Sequence, residues 1–144
     1  MSTHPVIPDN PPLLVVRDLR VAFARRRQSL VAVDGIDFQV AAGETLALLG
    51  ESGCGKSATA LGVLRLLPAA GRILAGEVLF NGQDVPSLPE AEMRTIRGRG
   101  MAMIFQEPAT SLNPVLTVNR QIGEVLERHH GFTGQSLEQR ALEL

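Results

Sequence analysis

Residues 50–57 carry the chemistry of this chain, because their sequence GESGCGKS fits the phosphate-binding pattern GxxxxGK[ST] at every fixed position. The glycines allow a tight loop in which successive backbone N–H groups converge on one anion. Lys56 adds a mobile positive charge, and a helix that begins here would point its unpaired N–H groups at the same anion. The Ser57 hydroxyl is placed to ligate Mg²⁺. The segment predicts a site for a nucleoside triphosphate.

The residues on either side supply the order of strand, loop and helix that this motif requires. Residues 45–49 form an apolar, β-compatible run that predicts a buried strand. Apolar residues then recur at helical spacing from Ala60 to Leu67, until Pro68 and Gly71 interrupt the pattern. A glycine-rich turn that happens to end in Lys-Ser is the alternative, and the flanking residues favour the phosphate loop.

Length and composition set limits on the class of protein. The chain has 144 residues, enough for one compact domain, and a net charge of −1, which gives no global basic field for nucleic acid. The single cysteine excludes an internal disulfide and suits a reducing compartment. No apolar run approaches the roughly 20 residues of a membrane-spanning helix. We therefore expect no nucleic-acid partner and no direct membrane span, and we expect the proline-rich residues 1–12 to be a disordered leader.

The first half of the chain favours extended structure outside the phosphate loop. Three runs together predict an antiparallel β layer: residues 13–16, 19–23 and 30–40. The basic residues 25–29 are interpreted as a solvated loop, with a weak anion contact as the alternative. Residues 76–80, followed by Asn81-Gly82, predict a strand that enters a tight hairpin turn.

The second half favours helices and one more strand. Ser87 with Glu90 forms a capping-box signature ahead of a short helix. The apolar residues 101–105 predict a buried strand that delivers Gln106 at its carboxyl end, where open α/β sheets bind ligands.

An amphipathic helix is expected next. Its apolar stripe consists of Val118, Ile122, Val125 and Leu126. Glu124 and Arg128 are spaced for an ion pair on this helix, and Ser136 with Gln139 marks the start of another.

Two phrases, GESGCGKS and MIFQEPATSLNPVLTV, carry a resemblance that runs from about residue 13 to residue 144. The chain resembles the ATP-binding subunits of ABC transporters, in the branch that energises import of dipeptides, oligopeptides, glutathione and nickel in bacteria. The resemblance implies an α/β fold: a P-loop NTPase (ABC ATPase) core with an antiparallel β subdomain and the start of a helical subdomain at about residue 107. It also implies that residues 13–144 are the N-terminal part of such a domain, incomplete at the C-terminus.

The resemblance assigns roles to individual residues. Lys56 would contact the β and γ phosphates of ATP, Ser57 would hold Mg²⁺, and Gln106 would contact Mg²⁺ and the attacking water. Lys56 and Gln106 are thus the candidate catalytic residues. The implied nucleotide-binding residues are Phe23, Gly50, Glu51, Ser52, Gly53, Cys54, Gly55, Lys56, Ser57 and Ala58.

Some of these residues have other interpretations. Phe23 falls where the family places an aromatic ring against adenine, and a phenylalanine at the end of an apolar strand can equally belong to the core. Gln106 could simply bond neighbouring backbone groups. We expect no catalytic role for Cys54, and we expect His129 and His130 to be surface residues, since adjacent side chains on a helix point in different directions.

The resemblance also implies partners and a location. These are transmembrane permease subunits and a second ATP-binding subunit, identical or different, with the protein in the cytoplasm and peripheral on the inner face of the bacterial inner membrane.

The chain departs from the family's pattern in one respect. It contains no Ser-Gly-Gly signature, no apolar strand ending in Asp-Glu (Walker B) and no switch histidine. Hydrolysis needs such groups to hold Mg²⁺ and to close over the γ-phosphate, so we expect these residues alone to bind ATP without hydrolysing it. The alternative is a truncated, non-hydrolytic nucleotide-binding or docking module. The resemblance also implies that two central strands are missing, so we expect the 144-residue chain alone to fold marginally or to assemble abnormally. A P-loop GTPase or small-molecule kinase is disfavoured, because no Asn-Lys-x-Asp motif is present.

Overall fold

A computed structural model describes residues 11–25, 28–106 and 111–144. The chain divides into two compact units, Met1–Pro89 and Glu90–Leu144. The expected leader lies outside the described residues except at its last two positions, Pro11 and Pro12. The expected helical subdomain falls within the second unit, and its beginning at about residue 107 stays a prediction.

An antiparallel sheet forms the body of the first unit. Its strands are β1 (Leu14–Arg25), β2 (Gln28–Val40), β3 (Gly71–Phe80) and the short β4 (Gln83–Asp84), arranged in the order β2-β1-β3-β4. The predicted antiparallel β layer is thereby confirmed. Helix α1 (Lys56–Val63) lies between β2 and β3 in the chain, and a 3-10 turn, Val85–Ser87, follows β4.

Two pairs of neighbouring strands, β1–β2 and β3–β4, are also consecutive in the chain. Phe80 pairs with Gln83 across the β3–β4 hairpin, and both intervening residues have left-handed backbones, Asn81 with φ 50° and Gly82 with φ 76°. This conformation is typical of the Asn-Gly turn that the sequence predicts, so the hairpin is confirmed. Arg25 pairs with Gln28 at the end of the β1–β2 hairpin, and the two residues between them lie outside the described part of the chain.

Charged side chains reinforce the β1–β2 pair on its exposed face. Arg20 forms ion pairs with Asp18, at 2.9 Å, and with Asp34 on the neighbouring strand. The hydrogen bond to Asp18 and the negative charges of Asp18 and Asp34 raise the pKa of Arg20, which therefore stays protonated. Because all three side chains are well exposed, these pairs orient the strands more than they stabilise them.

Aliphatic side chains of the sheet and of α1 make up the core of the first unit. The largest fully buried ones are Val16, Leu19, Val21 and Val78, together with Val85 of the 3-10 turn. Helix α1 approaches the sheet closely at Gly62, where an added Cβ would lie 3.2 Å from Cγ2 of Val21. The sheet thus supplies the surface against which the start of α1 is held.

Two runs that the sequence predicts as buried strands are neither strands nor buried, so both predictions are wrong. Residues 45–49 have no ladder partner in the described part of the chain, and Leu49 is 91% exposed. In residues 101–105, Met101 makes only an isolated bridge to Arg97, and Ile104 is 97% exposed. A strand needs a hydrogen-bonded neighbour, and apolar composition cannot supply one.

The second unit is helical. It consists of α2 (Glu90–Arg99), α3 (Val118–His130) and α4 (Gly134–Glu143), with Met93, Leu126 and Ala141 buried. Thr117 caps α3 by accepting a hydrogen bond from the Arg120 N–H at 3.2 Å, and Gly131 ends the helix. The predicted amphipathic helix is confirmed, although Val118 and Val125 of its expected stripe are exposed.

Both predicted capping boxes are wrong. The hydroxyl of Ser87 donates to the Asp84 carbonyl at 2.9 Å, and that of Ser136 donates to the Thr133 carbonyl at 2.8 Å. Serine hydroxyls compete for nearby carbonyls in this way, so each is engaged in a turn rather than in a cap.

The predicted ion pair of α3 is also wrong. Glu124 pairs with Arg120, at 3.3 Å between Nε and Oε1, instead of with Arg128. The i,i+4 spacing is the same in both directions along the helix, so the spacing alone could not decide between the two arginines.

The stability of the first unit should depend on Leu19. Its side chain is 0% exposed in the core, so Leu19→Ala should lower the free energy of unfolding by about 2–5 kcal/mol, measured by urea denaturation. Leu30→Ala is the matched control, because Leu30 is 59% exposed and its loss should cost within about 0.5 kcal/mol. Equal effects of the two substitutions would contradict the described core.

Candidate functional site

The predicted phosphate-binding loop, residues 50–55, connects the segment after β2 to the first turn of α1. Glu44 anchors the start of that segment, since its carboxylate accepts from the Ala41 N–H at 2.6 Å. Within the loop, the Cys54 N–H donates to the Glu51 carbonyl at 3.3 Å, which turns the chain toward the helix. The loop residues 50–54 are exposed to solvent.

Lys56 directs its ammonium group back into the loop. Its Nζ lies 2.7 Å from the carbonyl oxygens of both Gly50 and Glu51, and 3.4 Å from Sγ of Cys54. Lys56 is the only lysine in the chain, so a distinctive point charge is concentrated where the motif predicts an anion. Neutral carbonyls are weaker partners for an ammonium than phosphate oxygens, so the exchange of partners would be favourable.

Gly55 allows the loop to pack against the sheet. An added Cβ would lie 2.4 Å from the carbonyl oxygen of Ala32 on β2, and the backbone φ of 98° is left-handed. Both features require glycine. Gly50 has a similar steric role, since its added Cβ would lie 2.5 Å from Sγ of Cys54.

The start of α1 offers unpaired N–H donors to an anion. Gly55 is the N-cap residue and makes no side-chain cap, and no acidic residue stands in the first turn. The first N–H groups, those of Lys56, Ser57 and Ala58, therefore have neither an intrahelical acceptor nor a competing carboxylate nearby in the helix. This arrangement binds phosphate groups in many proteins.

Thr59 stabilises the end of the loop, and this role was not predicted from the sequence. Its side chain is 2% exposed, and its hydroxyl donates to the Gly55 carbonyl at 3.1 Å, beside the backbone bond from its own N–H at 2.8 Å. A threonine two positions after Ser57, on the helix turn above Gly55, is the only sequence signal for this role.

The structure brings the candidate residues 50–58 together at one loop and helix start. Ser57 is exposed with its hydroxyl at the surface, and Ala58 is buried behind it. Phe23 belongs to the same unit, on β1 opposite Leu30 and Gly71, and is half-buried with its ring over Gly71.

Gln106 belongs to the second unit, where it is exposed. The strand that was expected to position it is not formed there. The residues that follow Gln106 in the sequence, 107–110, lie outside the described part of the chain.

The adjacent histidines differ in environment. His130 is exposed as expected, whereas His129 is half-buried, and its ring lies against Gly98, where an added Cβ would be 2.7 Å from Nε2. In the described ranges, no three His, Cys, Asp or Glu residues cluster in a way that could hold a metal ion. None of the helices described here has the length and apolarity that a bilayer crossing requires.

The contact of Gly55 with Ala32 can be tested by Gly55→Ala. This substitution adds a left-handed penalty of about 1–2 kcal/mol and also a clash with β2, so it should destabilise the unit and weaken triphosphate binding. Gly53→Ala is the matched control, because Gly53 has a φ of 84° but no atom within 4 Å of its added Cβ. Thermal unfolding should show a clearly larger loss for Gly55→Ala. Equal losses of thermal stability in the two variants would mean that the left-handed backbone alone, and not the contact with Ala32, explains why residue 55 is glycine.

Curated relatives match nearly the whole chain. The peptidoglycan transport ATP-binding protein YejF of Agrobacterium fabrum is 53% identical over 134 residues, which cover 92% of this chain and 24% of the relative. The oligopeptide transport ATP-binding protein AppD of Bacillus subtilis is 46% identical over 133 residues, covering 92% of this chain and 40% of the relative. The chain thus spans well under half the length of these relatives.

Solved structures and a family model agree with these relatives. The dimeric structure of MJ0796, a bacterial ABC transporter cassette, superposes with a TM-score of 0.76 and 22% sequence identity, covering 90% of this chain and 54% of that chain. At this identity the likeness shows the fold, which is that of ABC ATPase cassettes. The model of the ABC transporter family matches residues 33–143. Since this match covers most of the sequence, the chain belongs to the ABC transporter family.

Proposed function

We propose that this chain is the ATP-binding part of an ABC ATPase that powers import of peptides or related solutes. The observation that carries the proposal is the position of Lys56, whose ammonium lies 2.7 Å from two loop carbonyls beside the unpaired N–H groups at the start of α1. A polyphosphate chain has the charge and the acceptor oxygens that this arrangement satisfies.

In this proposal, different residues bind different parts of ATP. Lys56 exchanges its contacts with Gly50 and Glu51 for oxygens of the β and γ phosphates. Backbone N–H groups of the loop and of the first turn of α1, those of Lys56, Ser57 and Ala58 among them, donate to the phosphate oxygens, and the half-buried Phe23 ring stacks against adenine. Each of these groups is available in the first unit.

In the first unit, the hydroxyl of Ser57 would hold Mg²⁺, because it stands at the start of α1 next to Lys56 and oxygen is the ligand that Mg²⁺ prefers. Gln106, whose amide oxygen is also a hard ligand, belongs to the second unit, and its expected contact with Mg²⁺ stays a prediction. Each of the two side chains is exposed and makes no hydrogen bond within the described residues. When bound, Mg²⁺ supplies charge neutralisation on the phosphates.

The names of the relatives support the solute class and the partners. The two relatives are transport ATP-binding proteins, one for peptidoglycan and one for oligopeptides, which favours a peptide-like solute here. The structural neighbour is dimeric, which favours a second ATP-binding subunit as partner. Permease subunits would then carry the solute across, with this protein peripheral on the inner face of the inner membrane.

We further propose that these 144 residues bind ATP but do not hydrolyse it by themselves. Support comes from the sequence, in which no apolar run ends in the acidic pair that would hold Mg²⁺ and orient water. The exposed apolar residues at 45–49 and 101–105 favour the second candidate function, a truncated, non-hydrolytic nucleotide-binding or docking module.

The role of Lys56 predicts a loss of affinity. Lys56→Ala removes one or two charge-assisted hydrogen bonds, so MgATP should bind roughly ten- to hundredfold more weakly by calorimetry. Lys56→Arg is a control for charge alone, because its planar guanidinium does not reproduce the compact ammonium. Because Lys56 is the only lysine, MgATP should also protect it from an amine-selective acylating reagent. Peptide mass spectrometry would measure the extent of acylation with and without MgATP. Unchanged affinity together with unprotected acylation would refute the assignment.

Turnover separates the two candidate functions. The 144-residue chain should bind MgATP and release no phosphate above background, whereas a full-length protein that contains it should release phosphate at a measurable rate. Lys56→Ala in the full-length protein is the control for contaminating ATPases, since it should abolish that rate. Phosphate release by the short chain that depends on Lys56 would contradict the proposal, and a full-length protein without turnover would support the docking module.

A further inference from the structure

A cleft in the second unit collects basic side chains that the nucleotide site does not use. It lies between α2 and α3 and has a volume of about 240 Å³. Its lining consists of Arg94, Thr95, Arg99, Arg128 and His129. We call it the basic cleft. Three guanidinium groups in one small cleft repel each other unless negative charge is close.

The neighbouring carboxylate does not balance this charge. Glu90 approaches Arg94 only to 3.8 Å, and both its oxygens are already held by Arg97, at 2.8 and 3.1 Å. Within the described residues, the side chains of Arg99 and Arg128 make no hydrogen bond or ion pair. The cleft therefore keeps excess positive charge in a chain whose net charge is −1.

The remaining groups of the cleft can donate hydrogen bonds. The Thr95 hydroxyl makes only a long bond to the Ala91 carbonyl, at 3.4 Å, and can turn to a better acceptor. Helix α2 is kinked at Arg97 and Gly98, whose backbone angles are not helical. The ring of His129 lies at this kink, because Gly98 has no side chain to displace it. Guanidinium, hydroxyl and imidazole groups thus surround one space.

We propose that the basic cleft binds a phosphate group, in addition to the phosphates at the loop of the first unit. A phosphate offers more negative charge and more acceptor oxygens than a carboxylate, which matches several guanidinium groups and a hydroxyl. The phosphate can belong to a soluble phosphate compound or to an anionic lipid headgroup. The site lies wholly in the second unit, so it stands independently of the nucleotide site.

Another account is that these basic residues only complement the negative ends of helices. Arg99 lies in the last turn of α2, and Arg128 and His129 lie in the last turn of α3. A helix end stabilises one nearby cation by charge alone and requires no bound anion. The two accounts differ in whether added phosphate is bound.

Inorganic phosphate is the first probe. Titration into the chain, at constant ionic strength with chloride as the reference anion, should shift the NMR amide signals of residues 94–99 and 128–129 separately from those of residues 50–58. In the Lys56→Ala variant, phosphate binding at residues 50–58 should be weaker, whereas the NMR signals of the second unit should still shift. Saturable shifts in the second unit support the proposal, and their absence overturns it.

Substitutions in the cleft then test the residues. Arg99→Gln and Arg128→Gln should each weaken phosphate binding roughly tenfold, because each removes a charge-assisted hydrogen bond. Arg140→Gln is the matched control, since Arg140 lies in the same unit, outside the cleft, and pairs with Glu143 at 2.9 Å. Equal weakening by all three substitutions would mean a general charge effect and would overturn the site.

Vesicles distinguish the sources of the phosphate. Sedimentation with phosphatidylglycerol vesicles but not with phosphatidylcholine vesicles, lost in the double variant Arg99→Gln with Arg128→Gln, would identify a lipid headgroup. Binding of free phosphate without vesicle binding would identify a soluble ligand. Binding of an acidic peptide with no binding of phosphate would overturn the proposal in favour of a protein partner.

Discussion

The close packing of Gly55 against the Ala32 carbonyl is the constraint on which the shape of the loop at residues 50–55 depends. At 2.4 Å from an added Cβ, this contact admits only glycine and brings the loop against β2. With Gly55 held there by two bonds from Thr59, α1 begins at a defined place, and its first N–H groups have no side-chain cap. The ammonium of Lys56 then lies over the loop carbonyls. A site that binds by backbone groups requires this support, since main-chain donors cannot reorient as side chains can.

Charge in this protein is arranged locally rather than globally. A net charge of −1 gives no long-range attraction for anions, yet one lysine stands in the phosphate loop and unpaired arginines stand in the basic cleft. Elsewhere in the described residues, arginines such as Arg17, Arg20 and Arg120 are paired with carboxylates. Cations without carboxylate partners are therefore the informative ones, because only they have charge available for a ligand.

Features set by neighbouring residues were predictable from the sequence. The antiparallel β layer and the amphipathic α3 follow from periodicity, and the β3–β4 hairpin follows from the backbone preference of Asn81-Gly82. The predictions that failed concern structure that depends on a hydrogen-bonding partner far along the chain, or on which of several nearby partners a side chain bonds. Residues 45–49 and 101–105 have strand composition without a pairing neighbour in the described chain, and Ser87 and Ser136 bond carbonyls instead of helix N–H groups.

The sequence by itself was enough to predict a phosphate loop at residues 50–57, because that motif is contiguous and its chemistry is mostly main chain. It also carried the resemblance to ABC ATPases, which the family match confirms. Only the tertiary structure revealed the Ala32 contact, the buried Thr59 hydroxyl and the basic cleft. The physical reason is that these features depend on contacts formed by packing in the folded chain. Such contacts cannot be deduced from the pattern of residues along one segment of the sequence.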